Sequence, residues 1–175
     1  MDELIDVLDE KTGEKTGKVI LKSVAHRNGN WHAAIHILIV NKDKSKTLLQ
    51  KRSDCKDLYP STWDIAVGGH IGSGENDIDS AKRELEEELG IKVDDKDLCR
   101  LEIVKEQLNS GGVVSNEFVS VFVVYADIDI ADIKLQVDEV AEVKWCTYDE
   151  LKKLMDSGKL FPHVREYEIL KEILN

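Results

Sequence analysis

A short run of acidic side chains has a spacing that could bind metal. Residues 83–88 read Arg-Glu-Leu-Glu-Glu-Glu inside a stretch of helical periodicity. At 100° per residue, Glu84, Glu87 and Glu88 fall on one flank of a helix. The apolar positions are centred about 110° around the helix from that flank, and they are Ile78, Ala81, Leu85 and Leu89. The helix would therefore turn one face to a core and line a neighbouring face with carboxylates.

Carboxylates placed in this way suit a hard divalent cation. Like charges four residues apart cost about 0.2–0.5 kcal/mol on an exposed helix, and burial increases the cost or raises a pKa. Oxygen-rich sites are typical of Mg²⁺ and Mn²⁺, which complete their shells with water and substrate phosphates. Such cations promote attack on a phosphoanhydride by neutralising charge and activating water. An acidic run is more often a solvated face, so the helix alone does not decide between the two interpretations.

The elements that must position these carboxylates follow from the hydrophobic pattern. Asn76 or Asp77 can cap a helix over about 77–89, and Gly90 can end it. The nearly apolar run 33–40 is typical of a central strand covered on both faces. Further strands are predicted at 3–8, 19–24, 47–51, 63–67, 101–107, 117–125 and 142–147, and further helices at 148–155 and 164–174. The pattern predicts one α/β (α+β) domain over residues 1–175, with a sheet between helices.

Composition limits the partners and the compartment. The net charge is −11, and no Lys/Arg-rich cluster stands out, which argues against nucleic acid and membrane surfaces as partners. No apolar run approaches the roughly 20 residues that span a bilayer, and the first ten residues lack a signal-peptide pattern. Three widely separated cysteines without a CxxC motif favour a reducing cytoplasm. A phosphate-handling protein of this charge needs local cations, either metal ions or Lys and Arg.

The wider spacing around the acidic helix resembles a known motif. Five residues separate Gly69 from Glu75, and seven separate Glu75 from Arg83. The sequence then continues as Glu, Leu, any residue, Glu, Glu, any residue, Gly and Ile. Residues 69–91 thus match the Nudix box at every fixed position, and the chain resembles the Nudix hydrolases. The resemblance implies a Nudix-type α/β/α sandwich, with a mixed β-sheet between helices, that carries a loop–helix–loop box.

The resemblance also implies roles for the residues of the box. Glu84, Glu87 and Glu88 would bind Mg²⁺ or Mn²⁺, and a backbone carbonyl at Gly68 or Gly69 would face the metal. The expected reaction is hydrolysis of a diphosphate linkage in a small molecule of the type nucleoside diphosphate linked to another group. Glu75 would pair with Arg83 as a structural brace. The base would be a glutamate of the box or one outside it, and the candidate catalytic residues are Glu84, Glu87 and Glu117.

Residues outside the box resemble the isopentenyl-diphosphate isomerase branch of the same superfamily. The segments 48–52 and 59–63 and the histidines His26, His32 and His70 carry this likeness. Those isomerases bind metal through histidines and glutamates, and they protonate a double bond with a cysteine and a glutamate. Glu117 matches the glutamate, but Gly68 occupies the cysteine position, and glycine cannot donate a proton. The prediction is therefore a hydrolase, with isomerase-like activity or a non-catalytic ligand-binding domain as alternatives.

Several assignments stay open at the level of sequence. Glu139 and Glu142 compete with Glu117 for the role of base or extra metal ligand. The candidate substrate-binding residues are Arg52, Trp63 and His70. His26, His32 and His70 could form a second metal site, whereas His36 is more typical of a strand face. The identity of the substrate is not readable, and the oligomeric state is open, although dimers are common in the family.

Overall fold

The computed structural model describes residues 2–56 and 58–174. The strands are β1 (Leu4–Leu8), β2 (Lys15–Leu21), β3 (Trp31–Val40), β4 (Thr47–Arg52), β5 (Trp63–Asp64), β6 (Val67–His70), β7 (Cys99–Ser110), β8 (Val113–Tyr125) and β9 (Val140–Cys146). The α-helices are α1 (Lys22–Asn28), α2 (Asp77–Leu89), α3 (Tyr148–Asp156) and α4 (Arg165–Leu174). No helix of the described ranges is long and apolar enough to cross a bilayer.

Seven of the strands form one mixed sheet around β3. β3 pairs with β8 in parallel, and β8 continues into the antiparallel hairpin with β7. On its other edge, β3 pairs with β4 only at Ile39 and Val40. β4 then diverges and pairs with β5 and β9, while β6 pairs with residues 34–37 of β3. The divergence of β4 from β3 places the short strand β6 in the middle of the sheet.

The side chains of β3 alternate between two hydrophobic cores, one on each face of the sheet. Its even-numbered residues Ala34, Leu38 and Val40 pack with Leu151 of α3 and Leu170 of α4. Its odd-numbered residues pack against α2 on the opposite face, and the contacting residues are Ile35, Ile37, Ile39, Ala81, Leu85 and Leu89. Side chains of a strand point alternately to the two faces, so a continuously apolar strand must be covered twice. The predicted central strand and the predicted sheet between helices are both confirmed.

Two predicted strands differ from the structure for reasons of pairing. The strand predicted at 19–24 ends at Leu21, because its partner β1 begins at Leu4, directly opposite. The chain then turns into α1, so His26 lies on a helix. The strand predicted at 63–67 is divided, because Trp63 and Asp64 pair with β4 whereas Val67–His70 pairs with β3. The hairpin of β7 and β8 is also longer than predicted, and Gly111 and Gly112 lie at its turn.

Candidate active site

α2 holds the acidic side chains of the box at the predicted positions. Its residues run from Asp77 to Leu89, and the Asn76 side chain accepts a hydrogen bond from the Asp79 amide at 2.9 Å. Gly90 ends the helix in the left-handed conformation, with φ of 68°. Of the three candidate metal ligands on this helix, Glu84 and Glu88 are buried, whereas the Glu87 side chain is 53% exposed.

The buried glutamates lie against β6, where the strand has glycines. A Cβ atom built on Gly69 would lie 2.3 Å from Cδ of Glu84, which is far inside van der Waals contact. Only glycine therefore lets this carboxylate approach the strand. Glu88 is 4% exposed, and its Oε2 is buried without a hydrogen-bond partner among the described residues.

Burial and mutual repulsion raise the pKa values of both carboxyls. Burial raises the pKa of Glu88 to about 8, and the charge of Glu84 contributes in the same direction. Burial also raises the pKa of Glu84 to about 7, although the guanidinium of Arg83 partly opposes this shift. Two buried carboxyls that resist ionisation close to neutral pH are typical of a site that a cation would stabilise.

Arg83 contacts four oxygen-bearing groups of the box. Its guanidinium donates to Glu75 at 3.1 Å, to Glu84 at 2.7 Å and to Glu87 at 3.3 Å. It also donates to the carbonyl of His70 at 3.1 Å, which ties α2 to β6. Glu75 additionally accepts from the Ser80 hydroxyl at 2.6 Å, and a contact between Glu75 and Arg83 is what the motif leads us to expect. In this arrangement Glu84 and Glu87 are paired with Arg83. Among the described residues, the glutamates of the box do not belong to any group of three or more metal-binding side chains whose ligand atoms lie within 4.8 Å of one another.

A second cluster consists of His26, His32, His70 and Glu117, whose ligand atoms all lie within 4.8 Å of one another. Nε2 of His32 and Nε2 of His70 are 3.4 and 3.5 Å from Oε1 of Glu117. Neither nitrogen makes a well-aligned hydrogen bond, and both are buried. The tertiary structure thus brings His70 and Glu117 to His26 and His32, which are close to each other in the sequence.

The protonation states in this histidine cluster favour metal ligation. Burial lowers the pKa of His26 to about 4, with a further contribution from the neighbouring histidines. Burial likewise lowers the pKa of His70, although Glu117 opposes the shift. Burial alone would raise the pKa of Glu117, but contacts with His32 and His70 hold it well below its usual range. Neutral imidazoles beside a carboxylate are the ligand types that divalent transition metals accept.

A cavity of about 260 Å³ opens on the sheet face that packs α3 and α4. Gly68, Gly69 and His70 of β6 form part of its wall, and Glu117 forms another part. Three cationic side chains also line it, namely Lys22, Arg52 and Lys56. Glu84, Glu87 and Glu88 do not line the cavity, and Glu84 packs against Gly69, one of the residues that do.

The candidate substrate-binding residues separate into two groups. Arg52 and His70 line the cavity, and Arg52 donates to Asp64 at 3.1 Å. Trp63 does not line it, because its ring packs against a hydrophobic core and under Lys144. Of the competitors to Glu117, Glu139 lines the cavity beside Lys56, whereas Glu142 is exposed on β9.

Sequence reasoning missed the inner part of the cavity. His163 lies between Asp64 at 3.1 Å and Glu106 at 2.8 Å, and Nδ1 of His36 contacts Glu166 at 2.7 Å. Burial would lower the pKa of His163, but the two carboxylates raise it well above its usual range. These side chains come from four strands or helices and one connecting segment, and only His163 and Glu166 are close in the sequence, so no motif in the sequence marks them as a group.

Comparisons with known proteins agree with the fold and the box. A family model described as the NUDIX domain matches residues 30–165. Nudix hydrolase 3 of Arabidopsis thaliana is 36% identical over 94% of this chain, which spans only 24% of that protein's length. An uncharacterised Nudix hydrolase of Clostridium acetobutylicum is 34% identical over 89% of this chain and 75% of its own length.

Two further similarities cover nearly the whole chain. An isopentenyl-diphosphate Delta-isomerase of Kocuria rhizophila is 30% identical over 89% of this chain and 84% of its own length. The crystal structure of DR0079 from Deinococcus radiodurans has a TM-score of 0.71 at 21% identity, covering 99% of this chain and 100% of that one. The chain therefore belongs to the Nudix hydrolase family. The predicted family, enzyme class and α/β/α fold are confirmed.

The two adjacent glycines of β6 should differ in their tolerance of a side chain. Gly69→Ala is expected to destabilise the protein by about 1–3 kcal/mol, because the new methyl group collides with Glu84. Gly68→Ala should change stability by less than about 0.5 kcal/mol, since its Cβ would lie 3.4 Å from the nearest atom of His36. Urea unfolding measures both. In a Glu84→Ala background the cost of Gly69→Ala should largely disappear, and an unchanged cost would show that Glu84 is not the obstacle.

The raised pKa of Glu88 predicts a pH-dependent stability in metal-free buffer. The folded pKa of about 8 exceeds the ordinary value of 4.5, so the contribution of Glu88 is intact below that ordinary value and is lost as the pH rises through about 8. Gln cannot ionise, so Glu88→Gln should gain stability relative to wild type between about pH 5 and 8. Urea unfolding with a chelator measures this. The matched variant Glu86→Gln, at an exposed position paired with Lys92, should show no such trend, and a constant Glu88→Gln difference would contradict the shift.

Proposed function

We propose that the protein hydrolyses a diphosphate linkage in a nucleoside diphosphate joined to another group, and that it requires Mg²⁺ or Mn²⁺. The observation that carries this proposal is the pair of buried carboxyls on α2. Glu84 and Glu88 are both at least nine-tenths buried, and Oε2 of Glu88 has no hydrogen-bond partner among the described residues. A buried carboxyl oxygen without a partner is costly, so a resident cation gives a physical reason for keeping it.

The residues of the box fit a hard cation by their chemistry. Glu84, Glu87 and Glu88 offer carboxylate oxygens, and the backbone carbonyl of Gly69 offers a fourth oxygen, which is the donor set that Mg²⁺ and Mn²⁺ accept. When bound, such a cation neutralises charge on the phosphate oxygens and makes an attacking water more acidic. Arg83 would keep Glu84 and Glu87 oriented towards this site.

The cavity supports the substrate part of the proposal. Lys22, Arg52 and Lys56 place three cationic side chains on its wall, beside carboxylates that include their partners Asp64 and Glu139, in a chain with a net charge of −11. Local cations that oppose the overall charge are what a diphosphate needs for binding. Two groups are candidates for accepting the proton of the attacking water, namely Glu84 in the box and the ionised Glu117 in the cavity. The three free cysteines support a reducing compartment such as the cytoplasm.

A screen of diphosphate compounds with Mg²⁺ or Mn²⁺, read by released phosphate products, tests the proposal. On the best substrate, Glu88→Gln and Glu87→Gln should each lower kcat by at least about 100-fold, because each removes a metal ligand. Glu86→Gln is the matched control, since Glu86 lies on the same helix, is exposed and pairs with Lys92. It should retain activity within about twofold.

Two results would refute the metal-box proposal. One is full turnover in Glu87→Gln and Glu88→Gln on a substrate that wild type cleaves. The other is turnover of equal rate with and without a chelator, because the proposed reaction depends on the cation for charge neutralisation and activation of water.

The histidine cluster favours one second candidate function, which is isomerisation of a prenyl diphosphate. His26, His32, His70 and Glu117 converge on one point beside the cavity, as the likeness to the isomerases implies. That reaction also needs a proton donor opposite Glu117, and Gly68 has no side chain to supply it. Incubation with isopentenyl diphosphate, Mg²⁺ and Mn²⁺ should give no dimethylallyl product by NMR. Its appearance at a catalytic rate would replace the hydrolase proposal.

A further inference from the structure

The inner end of the cavity, lined by His36, Glu106 and His163, differs in chemistry from the part lined by Lys22, Arg52 and Lys56. We propose that it binds a hydroxyl- or amino-bearing group of the substrate, such as a sugar, with Glu106 and His36 as hydrogen-bond acceptors. This inference rests on the proposed function, because it names the group attached to the diphosphate. It also explains why the cavity would bind a hydrocarbon chain of the same length more weakly.

Glu106 presents a carboxylate oxygen that has no partner. Its Oε1 accepts a hydrogen bond from Nδ1 of His163 at 2.8 Å. Its Oε2 is buried and makes no hydrogen bond with a described residue, although Glu106 lies on the cavity wall. A buried carboxylate oxygen needs a donor, and a ligand in the cavity can supply one.

His36 presents a second acceptor. Its Nδ1 lies 2.7 Å from Oε1 of the buried Glu166, and the carboxylate can only accept, so the ring hydrogen is assigned to Nδ1. In the neutral form of the ring, Nε2 carries the lone pair. That nitrogen lies 3.7 Å from the position that a Cβ would take on Gly68, on the cavity wall. Because position 68 is glycine, no side chain covers the nitrogen there.

The two acceptors converge, together with Glu117, on the same space. The ligand atoms of His36, Glu106 and Glu117 all lie within 4.8 Å of one another. Glu117 is already flanked by His32 and His70, which leaves Glu106 and His36 for a ligand. A group with two or more donors, such as neighbouring hydroxyls, matches this arrangement.

The surrounding side chains hold these acceptors in place, and the nearest hydrogen-bond donors are already paired. Both ring nitrogens of His163 contact carboxylates, Nδ1 with Glu106 and Nε2 with Asp64. The ring of His163 also packs on that of His36, with centroids 4.3 Å apart. His163 and Glu166 are therefore positioning residues, and a ligand meets acceptors rather than donors at this end.

A matched pair of probes tests this assignment by binding rather than turnover. The methylenebisphosphonate analogues of ribose 5-diphosphate and isopentenyl diphosphate have organic groups of five carbons each and cannot be hydrolysed at the methylene bridge. In Mg²⁺, calorimetry should show the ribosyl analogue binding wild type at least about tenfold more tightly, since a hydrocarbon leaves the acceptors unpaired. Methylenebisphosphonate itself, without an organic group, reports on the diphosphate site alone.

The variant Glu106→Leu should reduce this preference to within about twofold and leave methylenebisphosphonate affinity within about twofold. Glu102→Leu is the matched control, because Glu102 lies on the same strand but pairs with Arg165 outside the cavity. It should keep the wild-type preference. If Glu106→Leu does not fold, Glu106→Gln takes its place, since its amide oxygen can keep the His163 bond while its NH₂ group replaces the acceptor, and the preference should fall by at least about threefold.

Equal affinity of wild type for the ribosyl and isopentenyl analogues would overturn the assignment. An equal loss of all three ligands in folded Glu106→Leu would also overturn it, because Glu106 would then belong to the diphosphate or a metal site. Failure of the proposed function looks different. In that case, methylenebisphosphonate does not bind even to wild type, and no diphosphate compound is hydrolysed.

Discussion

The candidate active site depends on the close approach of a buried carboxylate to a strand that lacks side chains. Glu84 lies where a Cβ of Gly69 would be, and Arg83 ties the same helix to the carbonyl of His70. The helix can lie this close because β4 diverges from β3 and lets β6 pair with residues 34–37. The position of the box therefore follows from a local change of strand partner in the middle of the sheet.

Strand β6 lies between two groups of side chains that differ in charge and in pKa. On one face of the sheet, α2 supplies carboxyls whose pKa values are raised by burial and mutual repulsion. The cavity on the opposite face is lined by cationic side chains, by the histidine cluster and by paired His and Glu residues. A diphosphate in the cavity would have the glycines of β6 between itself and Glu84.

Much of the fold and the box could be predicted from local pattern. The bounds of α2 and its end at Gly90 follow from helical periodicity and capping preferences, and the structure has both; of the two candidate caps, Asn76 and Asp77, it uses Asn76. The double-sided burial of β3 follows from its continuous apolar run. The predicted strand bounds were wrong where strand pairing sets them. β2 ends opposite the start of β1, and the strand predicted at 63–67 is divided because its first part pairs with β4 and its last part with β3. Strand pairing joins residues that are distant in the sequence, so the periodicity of a local segment cannot predict it.

The sequence by itself determined the box, because its residues lie in one continuous segment, from the end of β6 through a short loop to α2, where spacing along the chain limits position in space. It also determined the family, through that spacing. Only the tertiary structure decided which distant residues share the cavity. Glu106 and His163 join His36 there, Glu166 contacts His36 without lining the cavity, and Trp63 lies elsewhere. Their contacts join positions up to 130 residues apart in the chain, and such contacts arise from sheet order and helix packing, which no local pattern encodes.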